Sequence, residues 1–274
     1  MPELPEVETI VRDLRPELLG RRFLGARLSH EDVLRGVTRR TLVAGLKGRR
    51  VRTVSRRAKH AVIETDERRL VVQPGMTGSL LVLDRPLTAE ERRYAVLRIA
   101  LDDGRTLVYR DVRRLGTLLW LHPKEWEAYD AAIGPEPLEP AFTPAVLRRI
   151  LSGSRAAVKK VLMDQRAVAG VGNIYANEAL FAARVDPSKP AGLVSAPAAR
   201  QLHRHIVRIL EAAIASQGTT FRDYRTGTGE SGSFQLELEV YGREGQPCRR
   251  CGTTLAGTHA IDGRITVFCH RCQT

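Results

Sequence analysis

Several short stretches of this chain combine residue types and spacings that can do chemistry. It opens Met1-Pro-Glu-Leu-Pro-Glu-Val-Glu8. The small proline ring beside the first peptide bond favours removal of the initiator methionine, and the freed Pro2 then carries a secondary amine. Such an amine attacks electrophilic carbon and forms an iminium adduct, and Glu3 beside it is placed to give or take a proton. All four cysteines lie at the other end, as Cys248-Arg-Arg-Cys251 and Cys269-His-Arg-Cys272, seventeen residues apart. That is the spacing of a four-cysteine zinc ribbon, and four thiolates close the coordination sphere, so one structural Zn²⁺ is expected there. Between these ends, Ala169-Gly-Val-Gly-Asn-Ile-Tyr-Ala-Asn-Glu178 has glycines that let backbone N–H groups approach closely and a helix start at Asn173. This makes an anion site for a DNA phosphate, with Arg155 and Lys159 adding charge. A glycine turn between packed helices accounts for the same residues.

Three further pieces belong with these. Arg56-Arg-Ala-Lys-His60 is a basic cluster on a turn, which also reads as a solvated charged loop. Gly75-Met-Thr-Gly78 is a tight apolar turn that leaves Met76 exposed, and Asp111-Val-Arg-Arg-Leu-Gly116 offers Arg113 and Leu115 on a connection. A cation beside an apolar wedge suits a protein that opens stacked bases, although either residue alone is as well explained by packing or solvation.

Composition supports a polyanionic partner. Lys and Arg number 44 against 31 Asp and Glu, a formal charge of +13 with pI near 10.2, and nucleic acid is the first candidate. No apolar run has membrane-spanning length and no signal pattern opens the chain, which implies a cytoplasmic, nucleoid-associated protein. There is no nucleotide-binding glycine loop and no serine triad, and the seven histidines lack metal-ligand spacing.

The elements that must position these groups follow from periodicity. Val7, Ile10, Val11, Leu14 and Leu18 recur at helical spacing, with Pro5 and Glu6 suited to a first turn and Gly20 to the end. The positive end of that helix lies beside Pro2, which disfavours the protonated amine. An ordinary capped helix explains the same residues. Residues 21–133 read as β, with runs at Val51–Ser55, Ala61–Thr65, Leu70–Gln73, Ser79–Leu83, Ala95–Leu101, Thr106–Arg110 and Thr117–Leu121, which suggests a sandwich of antiparallel sheets. A proline-rich linker at 134–143 precedes helices starting at Thr143-Pro144, Ser154 and Ser195. Residues 218–234 are Gly-, Thr-, Ser- and Arg-rich and read as a mobile loop in which Thr219, Thr220, Arg222 and Tyr224 fold over a ligand. In the ribbon, Thr253–Ile261 and Arg264–Phe268 read as strands turned by Asp262-Gly263, with Arg264 at the tip. The fold expected is α+β: a catalytic β-sandwich domain at 1–133 with a leading helix, a helical domain at 144–240 and a zinc finger at 241–274.

In order along the chain, the opening nine residues, Arg57-Ala-Lys59, Gly75-Met-Thr-Gly-Ser-Leu80, Asp111–Gly116, Gly170-Val-Gly-Asn-Ile-Tyr-Ala176, Tyr241-Gly-Arg243 and the ribbon resemble bacterial formamidopyrimidine-DNA glycosylases, over essentially the whole chain. The resemblance implies a helix-two-turn-helix domain and a monomer acting on damaged double-stranded DNA, removing oxidised purines and cleaving the strand by β,δ-elimination. It implies Pro2 as nucleophile at C1′, Glu3 as acid/base in ring opening, Lys59 as serving β-elimination and Arg264 as serving δ-elimination. It further implies that Met76, Arg113 and Leu115 fill the gap left by a flipped nucleotide and that Lys159 and Asn173 contact phosphates; Tyr94 stands at a DNA-contacting position, and Arg155 adds its charge to DNA binding. The 218–234 loop matches one that caps the flipped base. The chain departs from the family pattern at Leu115 for the usual Phe, Gln73-Pro74 for His-Leu, Tyr94 for a histidine and Arg222 for a lysine. An endonuclease VIII-like enzyme for oxidised pyrimidines, and a non-catalytic DNA-binding ribbon protein that retains Met1, stand as alternatives.

Overall fold

The computed structural model describes residues 2–219 and 233–274. They fall in two compact units, Met1–Ala131 with Ser216–Ser233 and Ala132–Ala215 with Phe234–Thr274.

The first unit begins with helix α1 (Leu4–Leu18), whose apolar positions Val7, Ile10, Val11, Leu14 and Leu18 are all buried. Strands β1 (Phe23–Leu28), β2 (Val51–Arg57), β3 (His60–Thr65), β4 (Arg69–Gln73), β5 (Gly78–Leu83), β6 (Ala95–Leu101), β7 (Thr106–Asp111) and β8 (Thr117–Leu121) form two four-stranded antiparallel sheets, ordered β1-β6-β7-β5 and β2-β3-β4-β8. α1 packs on β2 and β3 of one sheet and β5 of the other. One core joins it to Phe23, Leu42, Ile63, Val72, Leu97, Tyr109 and Trp120.

Each expected run is a strand, extended by a residue or two at some ends. β1 and three short helices, α2 (Arg39–Leu46), α3 (Ala89–Tyr94) and α4 (Pro123–Ala131), lie in stretches where no element was expected. β1 breaks its alternation at Gly25, where its register with β6 shifts. α2 and α3 are started by Thr38 and Thr88, each accepting a backbone N–H three residues on.

The second unit holds α5 (Pro144–Ser152), α6 (Val158–Met163), α7 (Asn173–Ala182) and α8 (Ala196–Ala215), then a hairpin of β9 (Ala256–Thr258) and β10 (Thr266–Phe268). Thr143 caps α5 and Ser195 supports the start of α8, as expected. Ser154 does not cap α6: its hydroxyl takes the Ala156 N–H, and the helix starts after Ala157. The proline-rich stretch is fastened to these helices. Gly134 N–H donates to Gln165 O, and Phe142 stacks on His203, whose Nε2 meets the Phe142 carbonyl at 2.6 Å. Among the described residues no helix is long and apolar enough to cross a membrane.

Candidate active site and nucleic-acid interface

Pro2 and Glu3 are buried at the start of α1, with Glu3 as its N-cap. A capping box closes the turn: the Glu3 side chain accepts the Glu6 N–H, and Glu6 Oε2 accepts the Glu3 N–H at 2.8 Å. Glu6, only 2% exposed, uses its second oxygen on the far end of the unit. Oε1 accepts the Thr219 N–H at 2.8 Å and its hydroxyl at 3.0 Å. Gly218 makes the approach feasible, for its φ is +82° and a Cβ there would stand 2.9 Å from Glu6 Oε1. Glu6 thus ties the backbone beside Pro2 to the base of the 218–234 segment. Sequence reasoning gave Glu6 only a place in a helix first turn; the glutamate at the third helical position was the available signal. Thr220, Arg222 and Tyr224 lie outside the described residues.

Lys59 sits in the β2–β3 turn, which Ala58 enables with φ +50°. The cluster is not a solvated loop: Lys59 is 5% exposed and the Arg56 side chain is nearly as buried. Arg56 Nε binds Glu8 Oε2 of α1 at 3.0 Å and its Nη1 donates to Ala58 O. Arg12 binds the other Glu8 oxygen at 2.9 Å. Burial alone would raise the Glu8 pKa, but the hydrogen bonds and charges of Arg12 and Arg56 outweigh it and hold the carboxyl below its ordinary range. α4 braces the other flank, where Asp130 binds Arg57 and the Tyr129 hydroxyl meets His60 Nε2 at 3.0 Å. One helix therefore carries Pro2 and Glu3 at its start and fastens the Lys59 turn through Glu8, about one and a half helical turns later.

The connections β4–β5 and β7–β8 cross between the two sheets side by side, since Gln73 pairs with Thr117 and Gly78 with Asp111. From this corner project Met76, 42% exposed, Leu115, 52% exposed, and Arg113, whose Nη1 donates to Met76 Sδ at 3.4 Å. Tyr94 closes α3, half-buried, with the guanidinium groups of Arg93 and Arg110 over its ring at 5.4 and 5.5 Å.

In the second unit, Gln165 shapes the glycine turn by accepting the Gly170 N–H and donating to Val171 O, both at 2.8 Å. Gly172 precedes α7 at the N-cap position and brings no side chain to it. Arg155 is exposed ahead of α6. Lys159, expected as an accessible cation, is instead wholly buried. Its ammonium donates to Thr266 Oγ1 at 2.6 Å and Ile265 O at 3.4 Å and lies 3.6 Å from Asp262. Asn173 Nδ2 donates to the same Ile265 carbonyl, and Asn177 accepts the Val267 N–H. These bonds shorten the hairpin relative to expectation. With Asp262 also accepting the Arg264 N–H and Gly263 N–H bound to His259 O, residues 259–265 form a wide tip rather than a two-residue turn. Arg264 stands on that tip, its side chain 59% exposed.

The thiols of Cys248, Cys251, Cys269 and Cys272 lie within 4.8 Å of one another, with Cys251 and Cys269 sulfurs 3.5 Å apart. Thiolates around a tetrahedral ion sit about 3.8 Å apart, so the quartet fits a metal ion. Buried Gln273 orders it by accepting the Cys269 N–H and donating to Val185 O.

Comparison with known proteins matches both units. Residues 1–118 fit the model of the formamidopyrimidine-DNA glycosylase N-terminal domain, and residues 133–225 that of its H2TH domain. The chain is 43% identical over 274 residues to the formamidopyrimidine-DNA glycosylase of Methylococcus capsulatus and 46% identical over 275 residues to that of Xanthomonas campestris pv. campestris, covering all of each. Among solved structures, the Lactococcus lactis Fpg complex with DNA containing an abasic site superposes with TM-score 0.89 at 32% identity, covering 99% of both chains. The MutM protein of Thermus thermophilus gives 0.87 at 38%, covering 99% of this chain and 98% of that one.

Proposed function

The chain belongs to the formamidopyrimidine-DNA glycosylase family, and from that premise we propose a reaction built on Pro2. It is a DNA glycosylase of base excision repair acting on damaged DNA. Once Met1 is removed, the Pro2 nitrogen attacks C1′ of the damaged nucleotide, the bond from C1′ to the base breaks and the base leaves with a proton. Glu3 assists by protonating the opening sugar ring. The resulting iminium acidifies the C2′ proton; its loss expels the 3′ phosphate, and a second elimination expels the 5′ phosphate. Lys59 serves the first elimination and Arg264 the second.

The observation that carries this reading is the setting of Pro2: buried, at the positive end of α1, with the adjacent Glu3 N–H held by Glu6. There the freed amine has the buried Glu3 carboxyl next to it to exchange a proton with. Base flipping is required because the target is otherwise stacked in the duplex. Met76, Arg113 and Leu115 fill the vacated space, Tyr94, Arg155 and Asn173 serve DNA binding, the buried Lys159 holds the β10 end of the tip rather than meeting phosphate, and the 218–234 segment closes over the base. The cysteine quartet holds Zn²⁺, which stiffens the tip bearing Arg264. The substrates are oxidised purines in duplex DNA, handled by a monomer in the cytoplasm.

Borohydride trapping tests this. Protein shown by intact mass to lack Met1 is incubated with a duplex carrying 8-oxoguanine opposite cytosine, beside a thymine-glycol duplex and a Pro2→Gly protein. Adduct on the first duplex, strongly reduced in the mutant, is expected. Adduct mainly on thymine glycol would assign the endonuclease VIII-like activity, and none on either would remove the amine mechanism.

A further inference from the structure

The first unit holds a buried carboxylate that no step above uses. Asp111, the last residue of β7, is 1% exposed. Its Oδ1 accepts the Thr77 hydroxyl at 2.6 Å, and its Oδ2 accepts the Tyr109 hydroxyl at 3.1 Å and the Gly116 N–H at 2.9 Å. Thr77 extends the chain, since its hydroxyl oxygen accepts the Arg113 N–H at 2.9 Å. Around these bonds the two sheet-to-sheet connections lie backbone against backbone. A Cβ on Gly75 would stand 2.5 Å from Gly116 N, and one on Gly116 would fall on the Tyr109 hydroxyl.

We propose that Asp111 is a positioning residue for duplex opening: with Thr77 as its relay, it holds Met76, Arg113 and Leu115 at the spacing needed to fill the gap left by the displaced nucleotide. This rests on the reading of those three side chains as gap-filling. The chemistry explains why a carboxylate stands there. Three donors converge from two turns and a strand, and an ionised carboxylate accepts on both oxygens where an amide accepts on one. Tyr109 remains a donor because burial, then the charge of Asp111 and their hydrogen bond, push its pKa far above the ordinary phenol value. Thr77 relays because a hydroxyl can accept from Arg113 while donating to Asp111. Between the strand pairs that anchor their ends, these bonds hold the Arg113 turn to the Met76 turn, and without them the exposed side chains would sample more spacings.

The test compares Asp111→Asn, Thr77→Val, Thr77→Ser, Arg113→Ala and Leu115→Ala proteins by three measurements. These are single-turnover excision of 8-oxoguanine from duplex DNA, fluorescence of 2-aminopurine beside a tetrahydrofuran residue in a duplex, and borohydride trapping on a single-stranded abasic oligonucleotide, which presents no stack to open. Asp111→Asn and Thr77→Val are expected to lose about tenfold or more in duplex excision, the size of one hydrogen bond to a charged group, together with the 2-aminopurine response. Thr77→Ser, which keeps the relay hydroxyl, is expected to behave as the unaltered protein, and trapping on the single strand to persist in all three. Equal losses on duplex and single strand would overturn the proposal by reducing Asp111 to a general stabiliser. Unchanged duplex excision in Asp111→Asn, with Arg113→Ala and Leu115→Ala impaired, would overturn it alone. Normal duplex excision by Arg113→Ala and Leu115→Ala would overturn the gap-filling reading beneath it.

Discussion

Replacing Glu6 by Gln removes charge and one acceptor from a buried carboxylate that serves both the start of α1 and the segment entered at Thr219. The two oxygens receive the Glu3 N–H, the Thr219 N–H and the Thr219 hydroxyl. An amide keeps one oxygen and presents a donor at the other position. If the amide nitrogen turns to Glu3, two donors face each other and the capping box opens; if it turns to Thr219, the hydroxyl can reverse and accept it but the Thr219 N–H is lost, so either way one backbone N–H loses its acceptor. A hydrogen bond to a charged group contributes about 1.5–3 kcal/mol, and the bonds that remain become neutral and weaker. The E6Q protein should therefore be less stable by about 2–3 kcal/mol, lowering the unfolding midpoint by about 4–12 °C for a chain of this class. Because either loss loosens the link between the backbone beside Pro2 and Thr219, borohydride trapping should slow by about tenfold or more, each factor of ten corresponding to about 1.4 kcal/mol. Urea denaturation and single-turnover trapping measure the two effects. An E6Q protein that unfolds at the same urea concentration and traps at the same rate would refute the idea that this carboxylate links the two segments.

Other outcomes follow from the same geometry. Gly218→Ala forces a side chain into a left-handed backbone position against Glu6 and should cost about 1–3 kcal/mol, read by urea denaturation, with slower trapping than Gly153→Ala, where nothing lies within 4 Å of a new Cβ. Because the Glu8 pKa is depressed in the folded state, its contribution to stability is present above the ordinary carboxylate pKa and lost as pH falls through the depressed value. Glu8→Gln should thus destabilise the protein at neutral pH by an amount that disappears in acid, measured by denaturation across pH. Stripping the metal with a chelator, or Cys272→Ser, should lower the unfolding temperature and weaken DNA binding together, since β10 is bonded to Lys159 and Asn177; a metallochromic dye should report one ion per chain in the intact protein.

Much of this was legible in the chain itself. The capping threonine of α5, the stripe on α1 and α8, the strands of residues 51–121 and the cysteine quartet all rest on local spacing, and local spacing survives folding. What was not legible depends on partners far along the chain. Glu6 acquires its second role from Thr219, 213 residues away. Lys159 is buried rather than exposed because Thr266 and Ile265, more than a hundred residues later, accept its protons. β1 escaped notice because Gly25 and the half-buried Ala26 blur its alternation, and the Arg56–His60 cluster looked solvated because Glu8, Tyr129 and Asp130 approach it from separate helices.

The bond between Glu6 and Thr219 also sets a timetable for biosynthesis. The unit containing Pro2 is discontinuous, interrupted by Ala132–Ala215, and is completed only when residues from Ser216 onward join it. At a translation rate of about 5–20 residues per second, about ten to forty seconds separate synthesis of the first turn from arrival of its partner. Until then the carboxylate lacks its bonds to Thr219, and the whole of the intervening helical segment must leave the ribosome first. A nascent chain can build both sheets early, yet the arrangement around its own first residues is finished nearly last.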